Sequence, residues 1–85
     1  MIYEVRFTKS AKKDFENLPL TIKPRIIRTI DIIAANPFLG KFLKAQFKNY
    51  LSYRVGEYRI IYKIFKKALI IIVLRIRHRR KVYRG

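Results

Sequence analysis

Guanidinium and phenol groups crowd the second half of this chain, and the chemistry open to such a set is the chemistry of anions. Arg54, Arg59, Arg75 and Arg77 recur there among Tyr50, Tyr53, Tyr58 and Tyr62. The planar fork of arginine suits bidentate contact with a phosphate better than a point charge does. A cationic face with tyrosine can serve metal-free RNA cleavage, in which the ribose 2′-hydroxyl attacks the adjacent phosphate. Cations stabilise the crowded phosphorane, one group removes the nucleophile's proton, and another supports the leaving 5′ oxygen. Neighbouring cations also favour the ionised form of a phenol, which makes a tyrosine beside arginine a workable base, and tyrosine can equally stack on a nucleobase. The same surface can bind RNA or protein without cutting anything, so charge alone does not establish an enzyme.

Charge balance narrows the partners. Twenty-one Lys and Arg face five acids, a formal net charge of +16 on 85 residues. So small a body repels itself unless counter-ions or an anionic partner compensate. The excess is uneven: residues 1–40 hold seven basic and four acidic side chains, whereas residues 41–85 hold fourteen basic ones and the single acid Glu57. Nucleic acid, an acidic protein and an anionic membrane surface all satisfy that distribution.

Several chemistries fall away. Without cysteine there is no disulfide scaffold, Cys-ligated zinc or thiol nucleophile. Five scattered acids and one histidine form no evident cluster for a divalent ion, which disfavours metal-dependent nuclease chemistry. Gly40, Gly56 and Gly85 are isolated, so no nucleotide-binding glycine loop exists, and a triad on Ser52 and His78 lacks an evident Asp. No cofactor is expected. The longest apolar run, residues 68–74, is far below the roughly 18 residues of a spanning helix. Charges at Glu4, Arg6, Lys9, Lys12 and Lys13 do not suit a secretion signal, so no membrane partner and a cytoplasmic location are expected.

These groups need a scaffold, and 51% apolar residues can build one small core. Residues 2–7 alternate weakly and read as a first strand. Thr8 and Ser10 are candidate caps for a helix with the stripe Ala11, Phe15, Leu18. Pro19 stops it, and Thr21 can cap a second helix whose apolar face is Ile26, Ile27, Ile30, Ile33 and Ala34, with Asn36-Pro37 and Gly40 at its exit. A linker of Pro19 and Leu20 alone predicts an antiparallel helix hairpin. After a basic connection over 41–49 the period changes to two, and 51–55, 58–65 and 69–77 read as an antiparallel meander with turns at Gly56-Glu57, of type II′, and at Lys66-Lys67. The expected fold is a single α+β domain over 1–85: an N-terminal strand, then an antiparallel helix hairpin packed on an antiparallel β-meander.

Parity sorts the faces of that meander. Leu51, Tyr53 and Val55, then Tyr58, Ile60, Tyr62 and Ile64, then Ile70, Ile72, Leu74 and Ile76 are expected beneath the helices. The opposite face collects Tyr50, Ser52 and Arg54, then Arg59, Ile61 and Lys63, then Ile71, Val73, Arg75 and Arg77, which makes it cationic.

The run YRVGEYRIIY at 53–62, followed by VLRIRHRRKVYR at 73–84, resembles the RelE/ParE superfamily of toxin–antitoxin toxins, and the RelE branch most. The resemblance spans the whole chain in the order strand, helix hairpin, three-stranded meander, basic tail. It implies a ribosome-dependent mRNA endonuclease silenced by a small acidic antitoxin. Position by position, Arg54 and Arg59 match family cations that hold the phosphate, Arg79 matches the arginine that stabilises the transition state, with Arg80 as an alternative, and Tyr83 matches a C-terminal tyrosine that stacks or acts as base. Ser52 stands where several members carry a second cation, which implies a contribution either missing here or moved to Lys48 or Arg75. Arg77 replaces a frequent glycine, and His78 is a candidate general acid or base weighed against a strand-end histidine bonded to backbone. Lys81 completes the basic RNA-binding set. Two other classes share these features: a ParE-like inhibitor of DNA gyrase, and a basic RNA- or ribosome-binding protein without catalytic activity.

Overall fold

Thr8 joins the first strand to the first helix and to the far end of the chain at once. Its extended backbone ends β1 (Glu4–Phe7), and its Oγ1 accepts the amide of Ala11 at 3.0 Å to start α1 (Lys9–Glu16). The same hydroxyl donates to the carbonyl of Leu74 at 2.9 Å. Of the two candidate caps, Thr8 therefore serves. The computed structural model describes residues 2–43 and 49–81.

The link to α2 (Lys23–Ala35) is longer than the two residues expected, because the amides of Ile22 and Lys23 both turn back to the carbonyl of Pro19, at 3.1 and 3.3 Å. Thr21 is consequently not the cap. Ile22 occupies that place without a side-chain bond, and Pro24 sits in the first turn, where its missing N–H costs nothing. Ile26, Ile33 and Ala34 are buried as expected, but Ile27 turns to solvent and Thr29 takes a buried place, its hydroxyl donating to the carbonyl of Arg25 at 2.7 Å. That local bond satisfies a polar group that burial alone would penalise.

A 3-10 turn over Pro37–Leu39 leads into β2 (Lys41–Phe42), then β3 (Tyr50–Val55), β4 (Tyr58–Phe65) and β5 (Ile70–His78), with a final 3-10 turn at Arg79–Lys81. The sheet order is β1-β5-β4-β3-β2, the meander antiparallel and β1 parallel to β5. The short β2 lies within the stretch expected to be a plain connection; two residues carry no readable alternation. Gly56 has φ 59° while Glu57 stays out of the left-handed region, as a Gly-X type II′ turn requires. The second turn occupies 66–69, and Leu69, at φ 57°, closes it rather than opening the strand.

The face assignment of β5 is corrected by a bulge. Ile60 faces Ile76 and Ile61 faces Arg75, but Tyr62 then faces Val73, so Leu74 is the extra residue. Parity inverts across it. Ile71 and Val73, expected on the outer face, lie in the core with Ile76, while Ile70, Ile72 and Leu74 are only half-buried. Residues 69–74 are apolar on both parities, so alternation could not mark the inversion. Ala11, Leu18, Ile22, Ile26 and Ile33 close the core over Leu51, Val55, Ile60 and Tyr62.

Tyr62 locks the helix exit to the sheet. Its hydroxyl donates to the carbonyl of Pro37 at 2.7 Å and accepts the amide of Gly40 at 3.1 Å. Burial pushes the phenol up to about 12, against the opposing pull of the Gly40 amide. A Cβ at Gly40 would collide with that hydroxyl, which is why glycine stands there.

Candidate nucleic-acid interface

The meander register lines up three arginines. Arg54 of β3 faces Arg59 of β4, and Arg59 faces Arg77 of β5. They alternate with the core residues Val55, Ile60 and Ile76, so the row lies on the side of the sheet away from the helices. Adjacent strands are about 4.8 Å apart. Like charges directly opposite one another are destabilising by themselves. Guanidinium forks in such a row have the geometry that bidentate contact with a phosphate uses.

The ladder continues one step beyond the row. The amide of Arg79 donates to the carbonyl of Glu57 at 2.7 Å, and the Arg79 guanidinium lies 3.5 Å from the Glu57 carboxylate. Arg54 Nε donates to the Gly56 carbonyl at 3.2 Å, which draws its side chain toward the turn. Arg25 joins from the helix side: a Cβ placed on Gly56 would stand 3.3 Å from its Nη1. The sequence carries no signal for this approach, since the turn is some thirty residues away along the chain.

Other expected members are placed elsewhere. Arg75 is held bidentately by Asp14 of α1, Nε to Oδ2 at 2.8 Å and Nη2 to Oδ1 at 3.1 Å, so the candidate replacement for the cation absent at Ser52 is committed to an ion pair. Asp14 Oδ2 also accepts the amide of Ile76 at 3.0 Å. The physical reason is edge coverage: β1 pairs with β5 only as far as Val73, and the carboxylate answers the strand amide beyond it. Burial raises the Asp14 carboxyl, but Arg75 and the Ile76 amide outweigh it and hold it below the usual carboxylate range. This contribution to stability is present above the ordinary aspartate pKa and is lost as pH falls through the lowered one.

Ser52 is buried between Lys41 and Ile61 and brings no charge to the outer face. His78 pairs across from Tyr58, on the parity of Ile60 and Ile76, so it does not share the side of the arginine row. Its ring meets Tyr58 edge-on at 5.3 Å, and its Nδ1 accepts the Arg80 amide at 3.3 Å, the backbone-bonded alternative. Arg80 is exposed in the final turn. Farther along the outer face, Lys63 lies over the rings of Tyr50 and Phe65, at 5.7 and 5.4 Å from their centroids. Lys48 and Tyr83 lie outside the described residues, and of Lys81 only the backbone, which closes the final turn, is among them. No helix among the described residues is long and apolar enough to cross a membrane.

Fold and register together define a small basic α+β domain with a row of arginines across its meander, and comparison with known families says which class it falls in. A family model described as the ParE toxin of the type II toxin–antitoxin system parDE matches residues 5–83, and the chain belongs to that family. It is 33% identical to Toxin RelG of Mycobacterium tuberculosis, with 99% of each chain covered. The fold matches the toxin–antitoxin complex RelBE2 of the same organism with a TM-score of 0.87 at 31% identity, covering 93% of both chains. It also matches the archaeal RelE–RelB complex of Pyrococcus horikoshii, TM-score 0.78 at 25% identity, over 96% of this chain and 100% of that one.

Proposed function

We propose that this protein is a metal-independent endoribonuclease that cuts mRNA on the ribosome and is neutralised by an acidic antitoxin. The single observation carrying the reading is the in-register row Arg54, Arg59 and Arg77, with Arg79 one step beyond. Arg54 and Arg59 hold the scissile phosphate and Arg79 faces the charge that grows on it. The 2′-hydroxyl gives its proton to a base, its oxygen bonds to phosphorus, and the bond from phosphorus to the 5′ oxygen breaks as that oxygen gains a proton. Tyr83, from the family resemblance, stacks on a base or takes the first proton. An acidic antitoxin fits the +16 charge, which favours fast capture of an anionic partner. Relatives crystallised as toxin–antitoxin complexes support that partner.

Cleavage of message on programmed ribosomes tests the reading. Arg59→Ala is expected to lower single-turnover cleavage by about 10²–10³, the scale of one preorganised electrostatic contact. Wild-type protein that leaves the message intact, or Arg59→Ala and Tyr83→Phe both cutting at full speed, refutes it. The ParE name of the matching family favours a second reading, inhibition of DNA gyrase. Loss of supercoiling with intact message supports that alternative.

A further inference from the structure

Glu57 is the single acid among residues 41–85, and it stands at the edge of the arginine row. The hydrogen bond from the Arg79 amide to the Glu57 carbonyl extends the β4–β5 ladder by one step, so Glu57 and Arg79 are cross-strand neighbours. Glu57 sits in the turn two residues before Arg59, and Arg79 in the final 3-10 turn two residues after Arg77. The carboxylate therefore stands at the end of the ladder that carries the arginine row. Stability does not explain it: the side chains of Arg79 and Glu57 are 48% and 63% exposed, and pairs that open contribute little. Solubility does not explain it either, on a chain of net charge +16.

The geometry points to Glu57 as a positioning residue that orients the Arg79 guanidinium over the arginine row before RNA arrives. This rests on the nuclease reading and names what prepares that site. The contact runs from one amino group, Nη2, to one carboxylate oxygen, so the remaining donors of the fork are left to a phosphate. A long side chain already held in place loses less freedom when the transition state forms. The same carboxylate repels the RNA backbone, so its two effects have opposite signs: it weakens binding of the message and speeds its cleavage.

Glu57→Gln separates them. Affinity is measured with a 2′-O-methyl oligoribonucleotide, which lacks the nucleophile, and cleavage by single turnover on programmed ribosomes. Glu57→Gln is expected to tighten binding by about threefold and to slow cleavage by about tenfold, with an unchanged melting temperature. In an Arg79→Ala background the same substitution is expected to slow cleavage no further. Cleavage by Glu57→Gln at or above the wild-type rate, or an equal loss with and without Arg79, overturns the proposal. If wild-type protein cuts no message, the nuclease reading fails, and positioning is then read from the Arg79 Nε–H signal in free protein by NMR. That signal is expected to be dispersed in wild type and averaged in Glu57→Gln, and an unaltered signal overturns the proposal.

Discussion

Tyr62 joins two parts of the fold through one side chain, because its phenol satisfies the Pro37 carbonyl and the Gly40 amide inside the core. Tyr62→Phe keeps the ring and strands both groups, at a cost of about 1–3 kcal/mol. Denaturant unfolding at pH 7 measures it. The phenol also sets a pH dependence. Its folded pKa, about 12, lies above the ordinary value of 10, so its contribution is whole below pH 10 and is lost as pH rises through 12. A stability profile across that window is expected to fall more steeply for wild type than for Tyr62→Phe. The residues of the site divide in how legible they were. Arg54 and Arg59 follow from parity beside a recognisable Gly-X turn, since two residues of turn leave only one register. The capture of Arg75 by Asp14 joins positions 61 apart in the chain, and no local pattern announces such a pair.

At the scale of elements, the bulge at Leu74 decides what faces what. Val73 is 1% exposed and Leu74 is half-buried, the reverse of what alternation assigns. Val73→Ala is expected to cost about 1.5–3 kcal/mol and Leu74→Ala less than half as much, by the same unfolding measurement; equal costs would contradict the bulged register. Strands and helices were readable where their periods were clean, as in Ala11, Phe15 and Leu18 or Tyr58, Ile60 and Tyr62. They were unreadable where a run is apolar on both faces, as in Ile70 to Val73, or too short to have a period, as in Lys41–Phe42. The parallel pairing of β1 with β5 was likewise invisible, because nothing within Glu4–Phe7 names its neighbour.

For the whole molecule, the proposed function requires RNA binding that answers to salt through the charge distribution. Each phosphate contact releases counter-ions, so affinity falls steeply with ionic strength. Arg54→Ala is expected to lower the slope of log affinity against log salt by about one and to weaken binding across RNA sequences alike. A slope identical to wild type would remove Arg54 from the phosphate contacts.

Side-by-side placement of the first strand and the last, Glu4–Phe7 against Ile70 to Val73, governs when the molecule can come into being. During synthesis the opening strand waits without its neighbour until residues 70–73 have been made. Long-range pairing of this kind is slow to form and rewards nothing until it closes. Arg77 and Arg79 follow Val73 along the chain, so a copy that stops short of that stretch has neither the closed sheet nor the full row of arginines.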